Sequence, residues 1–111
     1  AATHDSLVAA ISHLPMIISA ALVSMTTQSP SWPEMAKLAG SGFRDLTRLA
    51  SGSPEMSRDI CLTNKGPILR WLDEYIQELE RFRRLVGEGQ GLEEAFSEAR
   101  EAREGWLRRA S

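Results

Sequence analysis

The sequence has very few of the residues that build disulfide scaffolds or metal centres. Cys61 is the single cysteine among 111 residues, so no disulfide can form within the chain, and we expect a reducing, cytoplasmic compartment. Its apolar neighbours in RDICLT favour a buried structural thiol over a reactive one. His4 and His13 lie far from Cys61 and are not at the helical spacing of a ligand pair, so no metal site is expected.

Net charge is also small, and the composition is that of a globular protein. The formal net charge is −2, 25% of the residues are charged and 42% are hydrophobic. This balance does not favour a nucleic-acid surface, so we expect no nucleic-acid partner. The length fits one domain with its own core, spanning residues 1–111.

Between Ser6 and Pro33 the chain has no Lys, Arg, Asp or Glu. Apolar residues recur there at helical spacing, and further apolar residues occupy the opposite side, which predicts a helix that is apolar all round. Protein must surround such a helix, and in a short chain we expect a partner subunit to supply part of the cover. The predicted inner stripe consists of Leu7, Ile11, Leu14, Ile18, Leu22 and Met25.

A membrane span is the alternative interpretation of this segment, because its length is sufficient to cross a bilayer. Polar residues and a proline interrupt it, however, and no cluster of Lys or Arg flanks it. We therefore expect no membrane segment.

The remaining pattern is helical, since no segment shows sustained period-two alternation. Pro33 suits the first turn of a second helix, and SGSPEM predicts a helix start in which Ser53 caps and Pro54 takes the first position. A long amphipathic helix is predicted over 67–86 and a last one over 92–109. Met56, Ile60 and Cys61 are expected to face inward. The sequence thus predicts an all-α fold of about five helices.

His13 and Pro15 are unusual in this apolar helix. Pro15 cannot donate a hydrogen bond to the carbonyl of Ile11, and its ring pushes against that carbonyl, so a bend is predicted there. A bend beside an imidazole puts polar groups at one point of an apolar interior, as small-molecule sites do. A core histidine bonded to a backbone carbonyl is the alternative interpretation.

A second candidate site lies in GSGFRDLTRLASG. Gly40 and Gly42 interrupt a helix, which indicates a close approach of the backbone to another helix or to a ligand. Arg44 and Arg48 follow, four residues apart, and are predicted to share a helix face with Asp45 to one side. An arginine beside a glycine break suits a carboxylate clamp, while a solvated surface helix is the alternative.

Together these segments resemble a known family. HDSLVAAISHLPMIISAAL and GFRDLTRLASGSPEMSRDICLTNKGPIL are similar to the C-terminal domain of prephenate dehydrogenases, a family that includes the arogenate and cyclohexadienyl dehydrogenases of tyrosine biosynthesis. The resemblance covers roughly residues 3 to 80. The chain begins Ala-Ala-Thr-His with no leader pattern, so we expect a fragment of a longer protein rather than a precursor.

The resemblance implies a fold and an activity. The fold is an interlocked helical homodimer, similar to the C-terminal domain of 6-phosphogluconate dehydrogenase. The activity is the oxidative decarboxylation of prephenate, or of arogenate, with NAD or NADP. The nucleotide site and the catalytic histidine belong to an N-terminal Rossmann domain outside this sequence, so no catalytic residue and no bound cofactor are expected here. Tyrosine is implied as a possible feedback inhibitor, and a helical homodimer without catalytic function is the alternative.

The resemblance also implies site residues. His13 matches the first histidine of the SHLPH motif that lines the prephenate pocket. Arg48 matches an arginine that binds a substrate carboxylate from across the dimer, and Asp45 matches an aspartate associated with access to the pocket. Ser41 and Gly42 occupy the positions that let substrate approach the backbone.

Two positions depart from the family pattern. Met16 stands where SHLPH has its second histidine, and Ser57 stands where a tryptophan is usual after PEM. We expect these changes to alter substrate choice or tyrosine sensitivity, which makes Met16 a further candidate substrate-binding residue.

Overall fold

The computed structural model describes residues 2–110, and side-chain environments from residue 3 onward. Within that range the chain is helical and has no strand, which confirms the predicted all-α class. The α-helices are α1 (Ala2–Val8), α2 (Leu14–Thr27), α3 (Trp32–Leu38), α4 (Ser41–Leu46), α5 (Pro54–Thr63), α6 (Lys65–Glu88) and α7 (Leu92–Ala110). A π-helix over Ala9–His13 joins α1 to α2, and a 3-10 helix covers Arg48–Ser51.

The chain divides into two compact units, Ala1–Asp73 and Glu74–Ser111. The first contains α1 to α5 and the beginning of α6, and the second contains the remainder of α6 with α7. All residues singled out from the sequence as candidate site residues lie in the first unit.

A π turn lies just before Pro15, where the sequence predicted a bend. The backbone N–H of Leu14 bonds to the carbonyl of Ala9, five residues back, where an α-helix would bond four residues back. Pro15 has no N–H with which to close the next α-helical bond, to Ile11, and its ring needs room at that carbonyl. The wider turn supplies that room, and His13 is its last residue.

The predicted inner stripe of this helical run is only partly covered. Leu7, Ile11 and Met25 are 57%, 79% and 66% exposed, while Leu14, Ile18 and Leu22 are half-buried. Ala9 and Ser19 are fully buried. The chain's own residues therefore do not enclose this helix, and a large apolar surface remains.

By length and composition alone, the 25-residue run Thr3–Thr27 could cross a membrane, and 17% of its most apolar window is buried within the chain. The core helix of a water-soluble assembly meets the same criterion. No other helix among the described residues passes this test.

The segment after α3 differs from the prediction. Gly40 is extended, α4 begins at Ser41, and α4 ends at Leu46 because the backbone leaves the α-helical region at Thr47, with φ −99° and ψ 3°. Arg48 opens the 3-10 helix that follows. Arg44 and Arg48 thus do not share the face of one continuous α-helix, and that prediction was wrong.

The start of α5 follows its local sequence. The Ser53 hydroxyl accepts a hydrogen bond from the backbone N–H of Met56 at 3.3 Å, and Pro54 occupies the first turn, as predicted. Ile60 and Cys61 are half-buried, but Met56 is 60% exposed, so its predicted inward position was wrong.

In the second unit, a pair of rings joins α6 to α7. The centroids of Phe82 and Phe96 are 5.5 Å apart, and the connecting turn uses positive φ at Gly89 and Gly91, which favours glycine. On the solvated face of α6, Arg81 donates to both carboxylate oxygens of Glu78 at 2.8 and 2.9 Å. These hydrogen bonds hold the pKa of Glu78 below its ordinary value.

Candidate ligand-binding site

His13 is held by a residue 51 positions further along the chain. The Asn64 side-chain nitrogen lies 3.2 Å from His13 Nδ1 and donates to the backbone carbonyl of Asp5 at 3.0 Å. His13 itself is half-buried. The predicted alternative of a histidine bonded to a backbone carbonyl is therefore not what the structure contains, because the partner of the imidazole is a side-chain amide.

The second ring nitrogen of His13 remains available. Among the described residues, Nε2 has no hydrogen-bond partner, and no buried side-chain nitrogen or oxygen lacks one. Because every buried side-chain nitrogen or oxygen of the described residues has a partner and Nε2 has none, Nε2 is not buried and reaches solvent. The π turn thus presents one nitrogen of the imidazole at the surface and anchors the other.

An open groove of about 510 Å³ runs along one face of α2. Met16, Ala20 and Ser24 form one side, and residues of the 3-10 helix and of α5 form the other. Met16 and Ser57, the two departures from the family pattern, both line this groove. Its wall is mainly apolar, which suits a hydrocarbon ring, and Arg58 adds one cationic group.

Ser19 fixes the second wall of the groove. Its hydroxyl donates to the backbone carbonyl of Leu46 at 2.6 Å, and the side chain is fully buried in α2. This bond ties the end of α4 to α2 and thereby places Leu49 and Ala50 at the groove. In the sequence, Ser19 is only one of the polar residues that interrupt the apolar helix.

The remaining predicted site residues lie together in one exposed segment. Ser41 and Gly42 begin α4, Asp45 lies near its end, and Arg48 follows in the 3-10 helix, all four exposed. Apart from chain neighbours and the backbone of the same helix, no heavy atom of the described chain lies within 4 Å of a Cβ built on Gly40 or Gly42, so the predicted close approach to another helix is not made within the described chain. The structure brings Met16 and Ser57 to one groove, but neither His13 nor Arg48 lines it.

Asn64 is the residue that sequence reasoning missed. It lies within the matched segment GFRDLTRLASGSPEMSRDICLTNKGPIL, and the sequence assigns it no partner. Its contact with His13 depends on the packing of α5 against the first helical run, which no local pattern reveals. Among the described residues, no group of three or more His, Cys, Asp or Glu could hold a metal ion.

These observations define an all-helical domain with an apolar groove along α2 and, at the start of α2, an imidazole anchored by Asn64. The sequence matches the family described as "Prephenate dehydrogenase, dimerization domain" over residues 1–99. The chain therefore belongs to the prephenate dehydrogenase family, as its motifs indicated, and corresponds to the dimerization domain.

Named relatives and solved structures agree with this assignment. The prephenate dehydrogenase of Bacillus subtilis (strain 168) is 42% identical over 105 residues, which cover 92% of this chain and 28% of that protein. The Synechocystis arogenate dehydrogenase structure has a TM-score of 0.89 at 32% identity, covering 95% of this chain and 40% of that one. The structure of prephenate dehydrogenase from A. aeolicus in complex with hydroxyphenyl propionate and NAD+ has a TM-score of 0.83 at 30% identity. The match covers 93% of this chain and 37% of that one. The chain thus spans well under half the length of these proteins.

Proposed function

We propose that this chain is the dimerisation and substrate-binding domain of a cytoplasmic dehydrogenase that converts prephenate to 4-hydroxyphenylpyruvate in tyrosine biosynthesis. The match of residues 1–99 to the family's dimerization domain carries this proposal. The alternative substrate is arogenate, which the name of the Synechocystis relative supports.

The proposed assembly is a homodimer with the interlocked arrangement expected of the family. Leu7, Ile11 and Met25 leave a large apolar surface on the first helical run, and a second copy would remove that surface from water. A C2 dimer satisfies both copies with one self-complementary contact.

The proposed substrate site combines three kinds of group. The groove beside Met16 receives the cyclohexadienyl ring, and Nε2 of His13 donates to an oxygen of the substrate. Arg48 of the second copy binds a carboxylate, because its guanidinium offers a planar pair of donors. Ser41, Gly42 and Asp45 line the entry on that copy. The exposure of all four residues in the single chain fits a role across the dimer.

Nucleotide binding is proposed to lie outside this chain. NAD or NADP is bound by a strand, a glycine-rich turn and a helix N-terminus, and the described residues contain no strand. The residues present therefore do not fit a dinucleotide, and the domain contributes substrate binding to the reaction.

The test of the substrate site is Arg48→Ala in the full-length enzyme. We expect the Michaelis constant for the preferred substrate to rise about tenfold or more, because a charge-assisted hydrogen bond to a carboxylate is lost. Arg44→Ala is the matched control, since it removes the same group from the same exposed segment. Equal Michaelis constants for both variants and the wild type would remove Arg48 from the site.

Mixing two variants tests whether the site is shared between copies. Arg48→Ala and His13→Ala homodimers should each be impaired, whereas a heterodimer regains one intact site. Random exchange makes about half of the dimers mixed, so about a quarter of wild-type activity should return. No recovery after verified exchange would mean that both residues act within one copy.

A helical homodimer without catalytic function is the second candidate. Titration of the full-length enzyme with prephenate and with arogenate separates the possibilities, and tyrosine as a competitor tests the proposed feedback inhibition. Turnover of neither substrate would favour the assembly module.

A further inference from the structure

Asn64 occupies a rigid position between two helices. Its backbone N–H bonds to the carbonyl of Ile60 at 3.0 Å, which closes α5, and its own carbonyl accepts from the N–H of Ile68 at 3.1 Å, which opens α6. Ile68 is buried, so this junction is anchored in the core of the first unit. The side chain of Asn64 therefore projects from a backbone that is fixed on both sides.

The amide orientation of Asn64 follows from its partner in α1. The backbone carbonyl of Asp5 can only accept a hydrogen bond, so the atom 3.0 Å from it must be the amide nitrogen. That nitrogen carries two hydrogens, and the second faces His13 Nδ1 at 3.2 Å. An amide nitrogen only donates, so Nδ1 must be the acceptor and carry no hydrogen.

Resting on the function proposed above, we infer that Asn64 is a positioning residue that holds His13 in the tautomer with its hydrogen on Nε2. The surface-reaching Nε2–H is then a fixed donor, and the ligand atom that it meets is an acceptor oxygen, such as a carboxylate or carbonyl oxygen. An imidazole free to exchange tautomers would present an acceptor part of the time and repel such an oxygen.

The first test determines which ring nitrogen of His13 carries the hydrogen. In the uniformly 15N-labelled chain, two-bond 15N–1H correlation spectra show which ring nitrogen carries hydrogen. The measurement is made near pH 8.5, above the ordinary histidine pKa of about 6.5. His4 is exposed in the same chain and supplies the signal of an unconstrained imidazole. We expect His13 to be entirely in the Nε2–H form, and a hydrogen on Nδ1 or a mixture like that of His4 would overturn the inference.

Two variants then test whether Asn64 determines the tautomer of His13. Asn64→Ala should return His13 to the tautomer mixture shown by His4. Asn64→Asp replaces the donor with an acceptor and should place a hydrogen on Nδ1. Thermal unfolding followed by circular dichroism identifies a variant that fails to fold, in which case the wild-type spectrum decides alone. A wild-type pattern in folded Asn64→Ala would overturn the inference.

The second test links the tautomer to the ligand. In the full-length enzyme, Asn64→Ala should raise the Michaelis constant about three- to tenfold with kcat nearly unchanged, as expected when one ground-state hydrogen bond is weakened. Thr63→Ala is the matched control, because Thr63 is adjacent, exposed and bonded only within α5. An unchanged Michaelis constant despite an altered tautomer would overturn the ligand role. If the wild-type enzyme turned over neither prephenate nor arogenate, the proposed function would fail, whereas the ring-nitrogen spectra would still decide the role of Asn64.

Discussion

Met16 and Ser57 face the same groove although they are 41 positions apart, and both are smaller or more flexible than the residues usual in the family. A thioether and a hydroxymethyl group leave the apolar wall open beside Arg58. Under the proposed function, substrate discrimination at this wall depends on how closely the groove encloses the ring.

Ser57→Trp tests this enclosure at the level of one residue. We expect the Michaelis constant for the cyclohexadienyl substrate to fall about two- to tenfold in the full-length enzyme, since an aromatic wall adds a favourable ring contact. Steady-state kinetics with prephenate and arogenate measures the change. Ser57→Ala keeps the groove open and should stay within about twofold of wild type. A higher constant for Ser57→Trp would mean that the ring does not bind against this wall.

At the scale of elements, the π turn over Ala9–His13 sets the relation between α1 and α2. The π turn contains one residue more than an α-helical turn. Compared with a continuous α-helix, the residues before it are therefore rotated by about 100° relative to those after it. This offset lets Asp5 and His13 meet the same amide of Asn64.

Pro15→Ala should convert the π turn into regular α-helix. The new backbone N–H can bond to the carbonyl of Ile11, and the rotation of α1 would separate Asp5 or His13 from Asn64. We expect helical content by circular dichroism to stay constant, while the Michaelis constant of the full-length enzyme rises at least about threefold. Pro33→Ala changes a first-turn proline in α3, where no π turn exists, and serves as the control. Wild-type kinetics for Pro15→Ala would show that the site does not need the turn.

Some elements could be predicted because their causes are local. Ser53 and Pro54 start α5 through contacts within one turn, and the pattern that predicted a long helix over 67–86 corresponds to α6 at Lys65–Glu88. The early end of α4 was missed because the apolar period continues through Leu46 and Leu49, and it does not register that the backbone leaves the α-helical region at Thr47. The partnership of His13 with Asn64 was missed because it spans the packed unit.

The whole molecule depends on cover from outside the single chain. Periodicity identifies an apolar helix, but it does not distinguish cover by the same chain from cover by another copy. The exposed stripe of the first helical run shows that the described chain does not cover it, which supports the proposed second copy.

Ile11→Arg tests the dimer, because Ile11 is 79% exposed within the chain and the substitution should disturb its own fold little. A charge placed in an apolar interface without a partner is costly, so we expect sedimentation velocity to show a dimer for wild type and a monomer for the variant. Gln77→Arg adds the same charge to an exposed position of α6 and should remain dimeric. A monomeric wild type would contradict the proposed assembly.

Because a single chain leaves this helical run uncovered, the stability of the proposed dimer depends on protein concentration. If two copies bury it together, the free energy of unfolding grows with protein concentration, and the melting temperature has no single value. Dilution then acts as a mild denaturant, since it returns Leu7, Ile11 and Met25 to water without breaking a bond within the chain. Turnover per chain should consequently fall in assays run well below the dissociation constant of the dimer, even when every residue of the site is intact.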